Sequence, residues 1–347
     1  MTSVMNFDIH RVNRETQKDI QNIINNKTKP PGALGQLEQL ALQVALIQSS
    51  IHIEVTKPTA LVFASDHGIA ERGVSIASSD VTTQMVSNFL AGGAAINCFC
   101  ESVDMELKVI DAGMKKKLVN EPNLINQSLG QGTSDFSLTQ AMSVATAEKG
   151  IGLGASQVQA LINQGCNTVA LGEMGIGNTS AAAAMMCALL KLPVEQCVGR
   201  GTGIDDQQLQ TKRQLIANSL ELHKGSIETP LGILAAVGGF EIAQMTGGIL
   251  QGAQEKIIVL IDGFIASIAA LLAVRMYPEA RDYLVFCHQS DELGHESVLA
   301  ELDATPLLNL GMRLGEGTGA ALALPLVRAS CKFFNDMASF AEAGVTV

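Results

Sequence analysis

The sequence predicts an α/β fold in which helices flank a parallel sheet, and two observations support this prediction. First, a short apolar strand that stops abruptly at polar residues or Gly, and then leads into a small-residue helix, recurs five times. Second, these strands do not alternate apolar with polar residues, which is typical of strands buried on both faces of a parallel sheet. The five segments are TALVFA (59–64), LKVI (107–110), TVALG (168–172), KIIVLI (256–261) and YLVFC (283–287).

Polar side chains follow each of these strands at its carboxyl end. Parallel sheets bind ligands beyond the carboxyl ends of their strands, so these side chains are expected to converge on one cleft. They are Asp66 and His67, Asp111, Glu173, Asp262, and His288 with Ser290.

The two ends of the chain are predicted to be helical. Residues 1–28 form a polar lead-in, a Pro-Pro-Gly turn follows, and apolar residues then recur at the spacing of one helix face. After about residue 305 the pattern is helical from Pro306 through Phe340, without a further strand. We therefore expect a large α/β domain at 56–304 and a small helical domain made of 1–55 and 305–347.

The composition argues against a nucleic-acid partner. The net charge is -11, and the only basic cluster is Lys115, Lys116 and Lys117, whereas phosphate neutralisation needs a basic face. The chain has no Trp, so it also lacks the aromatic platforms on which single strands stack. Any anionic ligand is expected to be small.

A cytoplasmic protein is expected. The seven cysteines are scattered and form no C-x-x-C pair, so neither a disulfide framework nor a zinc knuckle is indicated. The first 20 residues carry charges throughout and contain no apolar segment of a signal peptide. The longest apolar run, 257–274, is interrupted by Asp262-Gly263, which favours a strand, a turn and a helix over a membrane span.

The stretch GEMGIGNTS (172–180) indicates an anion site. Glu173 ends a strand, a Gly-rich turn follows, and Asn178 is a candidate cap for the next helix. Free amides at a helix N-terminus bind anions. The alternative is an ordinary tight turn between a strand and a helix.

A second loop, VGRGTGIDDQQLQTKRQL (198–215), combines a Gly-rich backbone at Gly201 with Lys212 on the helix that follows. Backbone amides and a reachable Lys are the groups that bind phosphate. The alternative is a solvated Lys on a polar helix face.

A third loop, GEGTG (315–319), places Glu316 between glycines immediately before a small, apolar helix. Backbone without side chains on either side would let a ligand approach this carboxylate closely. The alternative is a Glu that caps the dipole of the following helix.

Two other kinds of site are not supported. Nominal dinucleotide fingerprints start at Gly150 and Gly315, but neither follows a strand with an acidic residue about 20 positions further on, so we do not expect NAD. His288 and His295 are seven positions apart and their spacing fixes no third ligand, so we expect neither a metal nor a cofactor. Asp66 and His67 are compatible with a proton shuttle or with bonds to loop backbone.

Eight motifs together resemble the nicotinate-nucleotide:dimethylbenzimidazole phosphoribosyltransferase family in content and order, between about residues 29 and 340. They are KPPGALGQLE, ASDHGIA, VTTQMVSNFLAGGAAIN, VIDAG, GEMGIGNTSAAAA, GGFEIAQMTGG, DGFIAS and RLGEGTGAALALP. The resemblance implies a Rossmann-like α/β domain, a small helical domain made from both chain ends, and a homodimer.

The resemblance also implies site residues. It makes Glu316 the general base and assigns the nucleotide side to Glu173, Gly175, Asn178, Gly201, Lys212 and Ser290. Glu173 could in addition stabilise positive charge on the ribose during the reaction. For the flat, apolar acceptor base we expect contacts from Ser79, Gln84, Met85 and Leu314.

The implied substrates are nicotinate mononucleotide and 5,6-dimethylbenzimidazole, and the implied products are α-ribazole 5′-phosphate and nicotinate, used for the lower ligand of cobalamin. The stretch 75–85 departs from the acceptor-binding segment of the family. A related enzyme that uses adenine, another benzimidazole or a phenol is therefore an alternative. A non-catalytic nucleotide- or riboside-binding protein on the same scaffold is another.

Overall fold

A parallel sheet forms the centre of the molecule. The computed structural model describes residues 6–201 and 203–346, and within them six strands pair in the order β3-β2-β1-β4-β5-β6. All five pairings are parallel. The strands are β1 (Thr59–Ser65), β2 (Glu106–Gly113), β3 (Leu124–Asn126), β4 (Thr168–Met174), β5 (Ile258–Ile261) and β6 (Leu284–Phe286).

The strand order reverses between β1 and β4. The first strand, β1, lies in the middle of the sheet, and β2 and β3 follow outward on one side of it. The chain then crosses to β4 on the other side of β1, and β5 and β6 follow outward in that direction. In such a sheet the crossovers on the two sides of the reversal diverge, which opens a crevice outside the carboxyl ends of the strands. The fold therefore provides a ligand site at this edge.

The predicted α/β class is confirmed, and each of the five predicted segments contains a strand. β1 and β5 are fully buried, as their unbroken apolar sequences require. The third strand, β3, was not predicted. It has only three residues, none of them fully buried, and it pairs with β2 alone at the edge of the sheet, so it needs no apolar run.

Helices cover the sheet. They are α1 (Gln17–Asn25), α2 (Gln36–Gln48), α3 (Asp80–Leu90), α4 (Ala95–Ser102), α5 (Val144–Ile162), α6 (Asn178–Leu190), α7 (Val194–Cys197), α8 (Asp206–Leu222), α9 (Pro230–Val237), α10 (Phe240–Gln254), α11 (Phe264–Met276), α12 (His295–Glu301), α13 (Thr318–Asp336) and α14 (Phe340–Ala343). Two short 3-10 helices span Gly68–Arg72 and Pro278–Tyr283.

Small residues let α5 and α10 touch backbone to backbone. A Cβ at Gly154 of α5 would lie 1.8 Å from the carbonyl oxygen of Gln244, and one at Gly247 of α10 would lie 1.8 Å from that of Ile151. Gly150, which begins one nominal dinucleotide fingerprint, lies inside α5 rather than in a turn after a strand. Its role is helix packing.

The helical tail begins later than the sequence predicts. We expected helix from Pro306, but α13 starts at Thr318, and before it Leu308 pairs with the backbone of Cys287 and Gln289 in an extended segment. Positive φ angles at Gly311, 66°, and Gly315, 85°, are incompatible with a continuing helix. At the other end, α1 covers only Gln17–Asn25 of the predicted helical lead-in, and residues 1–5 lie outside the described part.

The helices near the two chain ends are neighbours, because α2 packs against both α1 and α13. However, α13 also contacts β4 and α4 of the central layer. The division into a large and a small helical domain therefore stays a prediction. The apolar run at 257–274 folds as predicted into β5, a turn and α11, and no helix within 6–201 and 203–346 is long and apolar enough to cross a membrane.

Candidate active site

A cavity of about 370 Å³ lies at the carboxyl ends of β4, β5 and β6. The strand ends contribute Glu173, Asp262 and His288 to its wall, and the loop before α13 contributes Glu316. The remaining lining residues are Ala77, Val81, Met85, Met174, Gly175, Ile176, Asn178, Thr179, Gly201, Gly263, Phe264, Ile265, Ala266, Ser290, Glu292, Arg313, Leu314 and Gly315.

Acidic groups dominate the charge of this cavity. Four carboxyl groups line it, from Glu173, Asp262, Glu292 and Glu316, and Arg313 is the only Lys or Arg in the lining formed by the described residues. Burial raises the pKa of each of the four. Buried carboxylates without enough cations favour a ligand that brings positive charge of its own.

Glu316 is held in an unusual backbone conformation. Its φ is 65°, and it lies between Gly315 at 85° and Gly317 at 90°. A Cβ at Gly172 of β4 would be 2.3 Å from the carbonyl oxygen of Glu316, so the loop presses directly on the strand. The predicted glycines thus permit both the turn and the close approach.

Glu316 lines the cavity and is only 4% exposed. Its Oε2 atom is buried and meets no hydrogen-bond donor from residues 6–201 or 203–346. Burial raises its pKa, whereas the backbone amide of Ile96 lowers it. A carboxylate with raised basicity and a free acceptor atom is suited to take a proton from a ligand.

The alternative in which Glu316 caps the following helix is wrong. The N-cap residue of α13 is Gly317, and its backbone amide donates to Oδ2 of Asp262 over 3.1 Å. The amide of Ala320 donates to Oδ1 of the same carboxylate over 3.0 Å. Asp262, which follows β5, therefore caps the helix and leaves Glu316 available.

Glu173 is the next-to-last residue of β4 and is hydrogen-bonded to the start of α6. The carboxamide of Asn178 donates a hydrogen bond to its Oε2. Burial, together with the nearby charges of Glu241, Asp262 and Glu316, raises the pKa of Glu173 to about 8. In the ligand-free protein Glu173 is therefore largely protonated at neutral pH.

The residues predicted for the nucleotide side lie close together. Gly175, Asn178, Gly201 and Ser290 line the cavity, and α6 begins at Asn178, so its first-turn amides face the same region. Lys212 does not line the cavity. It lies behind Gly201, where a Cβ would be 3.5 Å from its Nζ.

Lys212 is 1% exposed, an unusual environment for a lysine. Its Nζ donates to the carbonyl oxygen of Gly199 over 3.4 Å and to Oγ1 of Thr179 over 3.5 Å. Both contacts are long, and burial lowers the pKa of Lys212 to about 8. An ammonium group in so poor a setting favours an anion at Gly201.

His295 fixes the position of Ser290. The backbone amide of Ser290 donates to Nδ1 of His295 over 2.8 Å, so a neutral imidazole carries its proton on Nε2 and donates it to Oγ of Ser267, 2.9 Å away. Burial lowers the pKa of His295 to about 3. Across 6–201 and 203–346, no group of three or more His, Cys, Asp or Glu residues is arranged to hold a metal ion.

Of the four residues predicted to contact the acceptor, two line the cavity and two do not. Met85 and Leu314 line the cavity, and Val81, one helical turn before Met85, lines it too. Ser79 and Gln84 are not among the lining residues, because the face of α3 turned to the cavity carries Val81 and Met85 while Gln84 is exposed. The i, i+4 spacing of Val81 and Met85 is the signal that could have selected this face.

Asp66 and His67 are not part of the cavity wall. Nε2 of His67 lies 2.8 Å from Oε1 of Glu241, and both side chains are completely buried. Of the two interpretations left open, the structural one fits better, although the partner of His67 is a carboxylate of α10 and not loop backbone. Sequence analysis also missed Arg313 and Phe264, and it gave no role to Asp262.

Comparison with known proteins gives the same family throughout. A family model described as phosphoribosyltransferase matches residues 9–345. A protein of Photobacterium profundum, named nicotinate-nucleotide–dimethylbenzimidazole phosphoribosyltransferase, is 60% identical over 341 residues, which are 98% of this chain and 100% of the relative. A protein of the same name from Shewanella frigidimarina is 57% identical, with 98% of this chain and 99% of the relative covered.

Solved structures agree with the sequence relatives. The crystal structure of CobT from Thermus thermophilus superposes with a TM-score of 0.92 at 42% identity and covers 96% of this chain and 99% of that one. A second structure from that organism, of the nicotinate-nucleotide–dimethylbenzimidazole phosphoribosyltransferase, gives 0.91 at 41% identity, with the same coverage. The chain therefore belongs to the nicotinate-nucleotide:dimethylbenzimidazole phosphoribosyltransferase family.

Proposed function

We propose that the chain transfers the phosphoribosyl group of nicotinate mononucleotide to 5,6-dimethylbenzimidazole, with Glu316 as general base. The products are α-ribazole 5′-phosphate, which supplies the lower ligand of cobalamin, and nicotinate. The observation that carries the proposal is the buried carboxylate of Glu316, a residue that lines the cavity of about 370 Å³ and whose Oε2 lacks a donor from the described residues.

The reaction exchanges one bond at C1 of the ribose. The bond from C1 to the pyridinium nitrogen breaks, and its electron pair leaves with nicotinate as a neutral pyridine, so no acid is needed. One nitrogen of the benzimidazole forms the new bond to C1. The ring becomes cationic unless its other nitrogen loses its proton, and Glu316 accepts that proton. The same contact orients the acceptor ring.

The acidic cavity suits this substrate. Nicotinate mononucleotide brings a pyridinium charge, and the ribose gains positive charge while the bond at C1 is exchanged. Glu173, near the carboxyl end of β4, would stabilise these charges. Attack from the face opposite the leaving group turns a β-glycosidic bond into an α-glycosidic one.

The phosphate has a separate set of partners. The first residues of α6 line the cavity together with Gly175, Gly201 and Ser290, and Lys212 lies behind Gly201. Helix N-termini and lysines bind phosphate by charge and by donated hydrogen bonds. The poorly solvated ammonium group of Lys212 would gain a strong partner when the nucleotide enters.

The cavity also has apolar lining residues that suit the acceptor base. Val81, Met85, Phe264 and Leu314 give it a surface that a flat bicyclic base would cover. A Met side chain adapts to ligands of different shape, which favours a second candidate, the same transfer to adenine, another benzimidazole or a phenol. A non-catalytic riboside-binding protein would not require the buried carboxylate of Glu316.

The test is a direct assay of the purified protein. Nicotinate mononucleotide is incubated with dimethylbenzimidazole, adenine, other benzimidazoles or phenol, and nicotinate and riboside products are followed by chromatography and mass spectrometry. We expect nicotinate release that depends on an acceptor and is fastest with dimethylbenzimidazole. Faster release with another base supports the second candidate, and none with any base contradicts both. We also propose a homodimer, which sedimentation would detect as twice the chain mass of 36.5 kDa.

A further inference from the structure

Glu316 adopts a conformation that other contacts must maintain. It is a non-glycine residue with φ of 65°, in a run of three consecutive residues with positive φ. A non-glycine residue rarely adopts this left-handed conformation, because its Cβ then lies too close to the following carbonyl oxygen. Such conformations persist where the surrounding structure fixes them.

Asp262 fixes the backbone on the C-terminal side of Glu316. Its Oδ2 accepts from the amide of Gly317 at 3.1 Å, and its Oδ1 accepts from the amide of Ala320 at 3.0 Å. Gly317 is the N-cap residue of α13 and has no side chain with which to cap the helix. One carboxylate from another element thus satisfies two first-turn amides that a helix leaves unpaired.

The peptide unit between Glu316 and Gly317 also rests on β4. Its carbonyl oxygen would be 2.3 Å from a Cβ at Gly172, so any movement of the loop toward the strand is blocked. Asp262 follows β5, the strand next to β4. Glu316 is therefore held in place by steric contact with β4 and by the hydrogen bonds that Asp262, after β5, accepts.

We propose that Asp262 is the positioning residue of the proposed reaction, holding Glu316 in the orientation in which it receives the acceptor proton. This inference rests on the proposed function. Asp262 is 3% exposed, and its two oxygens are engaged with backbone amides, with Nε2 of His288 at 3.8 Å from Oδ1. Its action on the acceptor therefore passes through Glu316.

Asp262 also influences the basicity of Glu316. Among the described residues, the titratable side chains that line the cavity with Glu316 are Glu173 from β4, Asp262 after β5, His288 after β6, and Glu292 and Arg313 from loops. Burial raises the pKa of Glu316 and the charge of Asp262 raises it further. Loss of that charge is expected to move the acidic limb of the rate profile to lower pH.

The test compares Asp262→Asn with Asp111→Asn in the intact protein. An Asn at 262 offers one oxygen, and its NH2 group would face a backbone amide that also donates. Asp111 is a matched control, because it too is buried at a strand end and accepts from a backbone amide, that of Met114 at 2.9 Å, but it lies outside this cavity.

We expect kcat of Asp262→Asn to fall about 10- to 100-fold, as for a base displaced by a fraction of an ångström to an ångström. KM for nicotinate mononucleotide should change little, and the acidic limb of kcat should move to lower pH. Asp111→Asn should retain both kcat and the limb. Wild-type kcat with an unmoved limb in Asp262→Asn overturns the inference.

A second measurement needs no variant at position 262. In the unmodified protein, hydrogen exchange of the Gly317 and Ala320 amides should be slow, although first-turn amides of a helix are ordinarily unprotected. Rapid exchange of both overturns the inference. A failure of this inference can be told apart from a failure of the proposed function. If the proposed function is wrong, the wild-type protein releases no nicotinate, whatever residue stands at position 262.

Discussion

Oε1 of Glu173 lies so close to Gly315 that a Cβ added at Gly315 would come within 2.3 Å of it. The end of β4 and the loop before α13 each carry a carboxylate. The two segments therefore meet at Gly315, which has no side chain. Gly315 also has a φ of 85°, which L side chains rarely adopt. Its absence of a side chain serves the geometry of the site as well as that of the turn.

Gly315→Ala should inactivate the protein more than it destabilises it. The methyl group would displace Glu173, and a displaced catalytic group commonly costs about 100-fold in rate. The positive φ would cost about 1 kcal/mol of unfolding free energy. Gly311→Ala is the matched control, since Gly311 has a φ of 66° and no described atom within 4 Å of an added Cβ. Equal rates of nicotinate release in the two variants would disprove the proposed clash.

Lys212→Met should weaken nucleotide binding without weakening the fold. A hydrogen bond to a charged group contributes ~1.5–3 kcal/mol, so Kd for nicotinate mononucleotide should rise about 10- to 100-fold in titration calorimetry. The unfolding free energy should change little, because Met removes a buried ammonium group whose two hydrogen bonds are long, together with its attraction to Glu292. Lys224→Met, at an exposed lysine paired with Glu221, should bind normally. Unchanged affinity in Lys212→Met would remove Lys212 from the phosphate site.

Binding of the nucleotide should release a proton from Glu173. Burial raises the pKa of this residue to about 8, so its carboxyl group is mostly protonated at pH 7 before the nucleotide binds. A bound pyridinium favours the carboxylate and lowers that pKa, so the proton leaves. Calorimetry in buffers of different ionisation enthalpy should detect this release at pH 7 and much less of it at about pH 9.5, above that pKa. Equal proton release by Glu173→Gln would contradict the assignment.

The buried pair of His67 and Glu241 should stabilise the fold. The two atoms are 2.8 Å apart and both side chains are fully buried, so His67→Ala leaves Glu241 without its partner. Breaking a buried pair in this way costs about 3–5 kcal/mol of unfolding free energy, which urea denaturation would measure. The double variant with Glu241→Ala should lose less than the sum of the single ones. His52→Ala, at an exposed histidine, is the control. If His67→Ala lowers the unfolding free energy as little as His52→Ala does, this role is contradicted.

Much of the sheet was predictable from the sequence, because a short strand such as TVALG that is apolar on both faces must be covered on both sides, as in the centre of a parallel sheet. β3 was not, since Leu124–Asn126 obtains its place from pairing with β2 rather than from its own composition. The extended segment before α13 was missed for a similar reason. Leu308 pairs with the chain next to β6, and such a long-range backbone contact leaves no periodic pattern in the sequence.

The site was predictable where a residue belongs to a local motif. Glu173 near the end of β4 and Glu316 in the loop before α13 both lie beside glycines, and both line the cavity. In the sequence Asp262 is one polar strand end among several, and its role becomes visible only when α13 returns to it from 55 residues further along the chain. Val81 was not predicted to contact the acceptor, because an apolar residue on a helix more often belongs to the core than to a ligand site.

Replacement of Glu316 by Gln tests the central claim most directly. Single-turnover release of nicotinate is measured with dimethylbenzimidazole in wild-type protein, in Glu316→Gln and in Glu296→Gln, a control at an exposed glutamate outside the cavity. Because Gln cannot accept the acceptor proton, the rate should fall by about 100- to 10 000-fold in Glu316→Gln, with the nucleotide still bound. Glu296→Gln should match wild type. A Glu316→Gln protein that releases nicotinate at the wild-type rate would contradict the proposed role of Glu316 as the base.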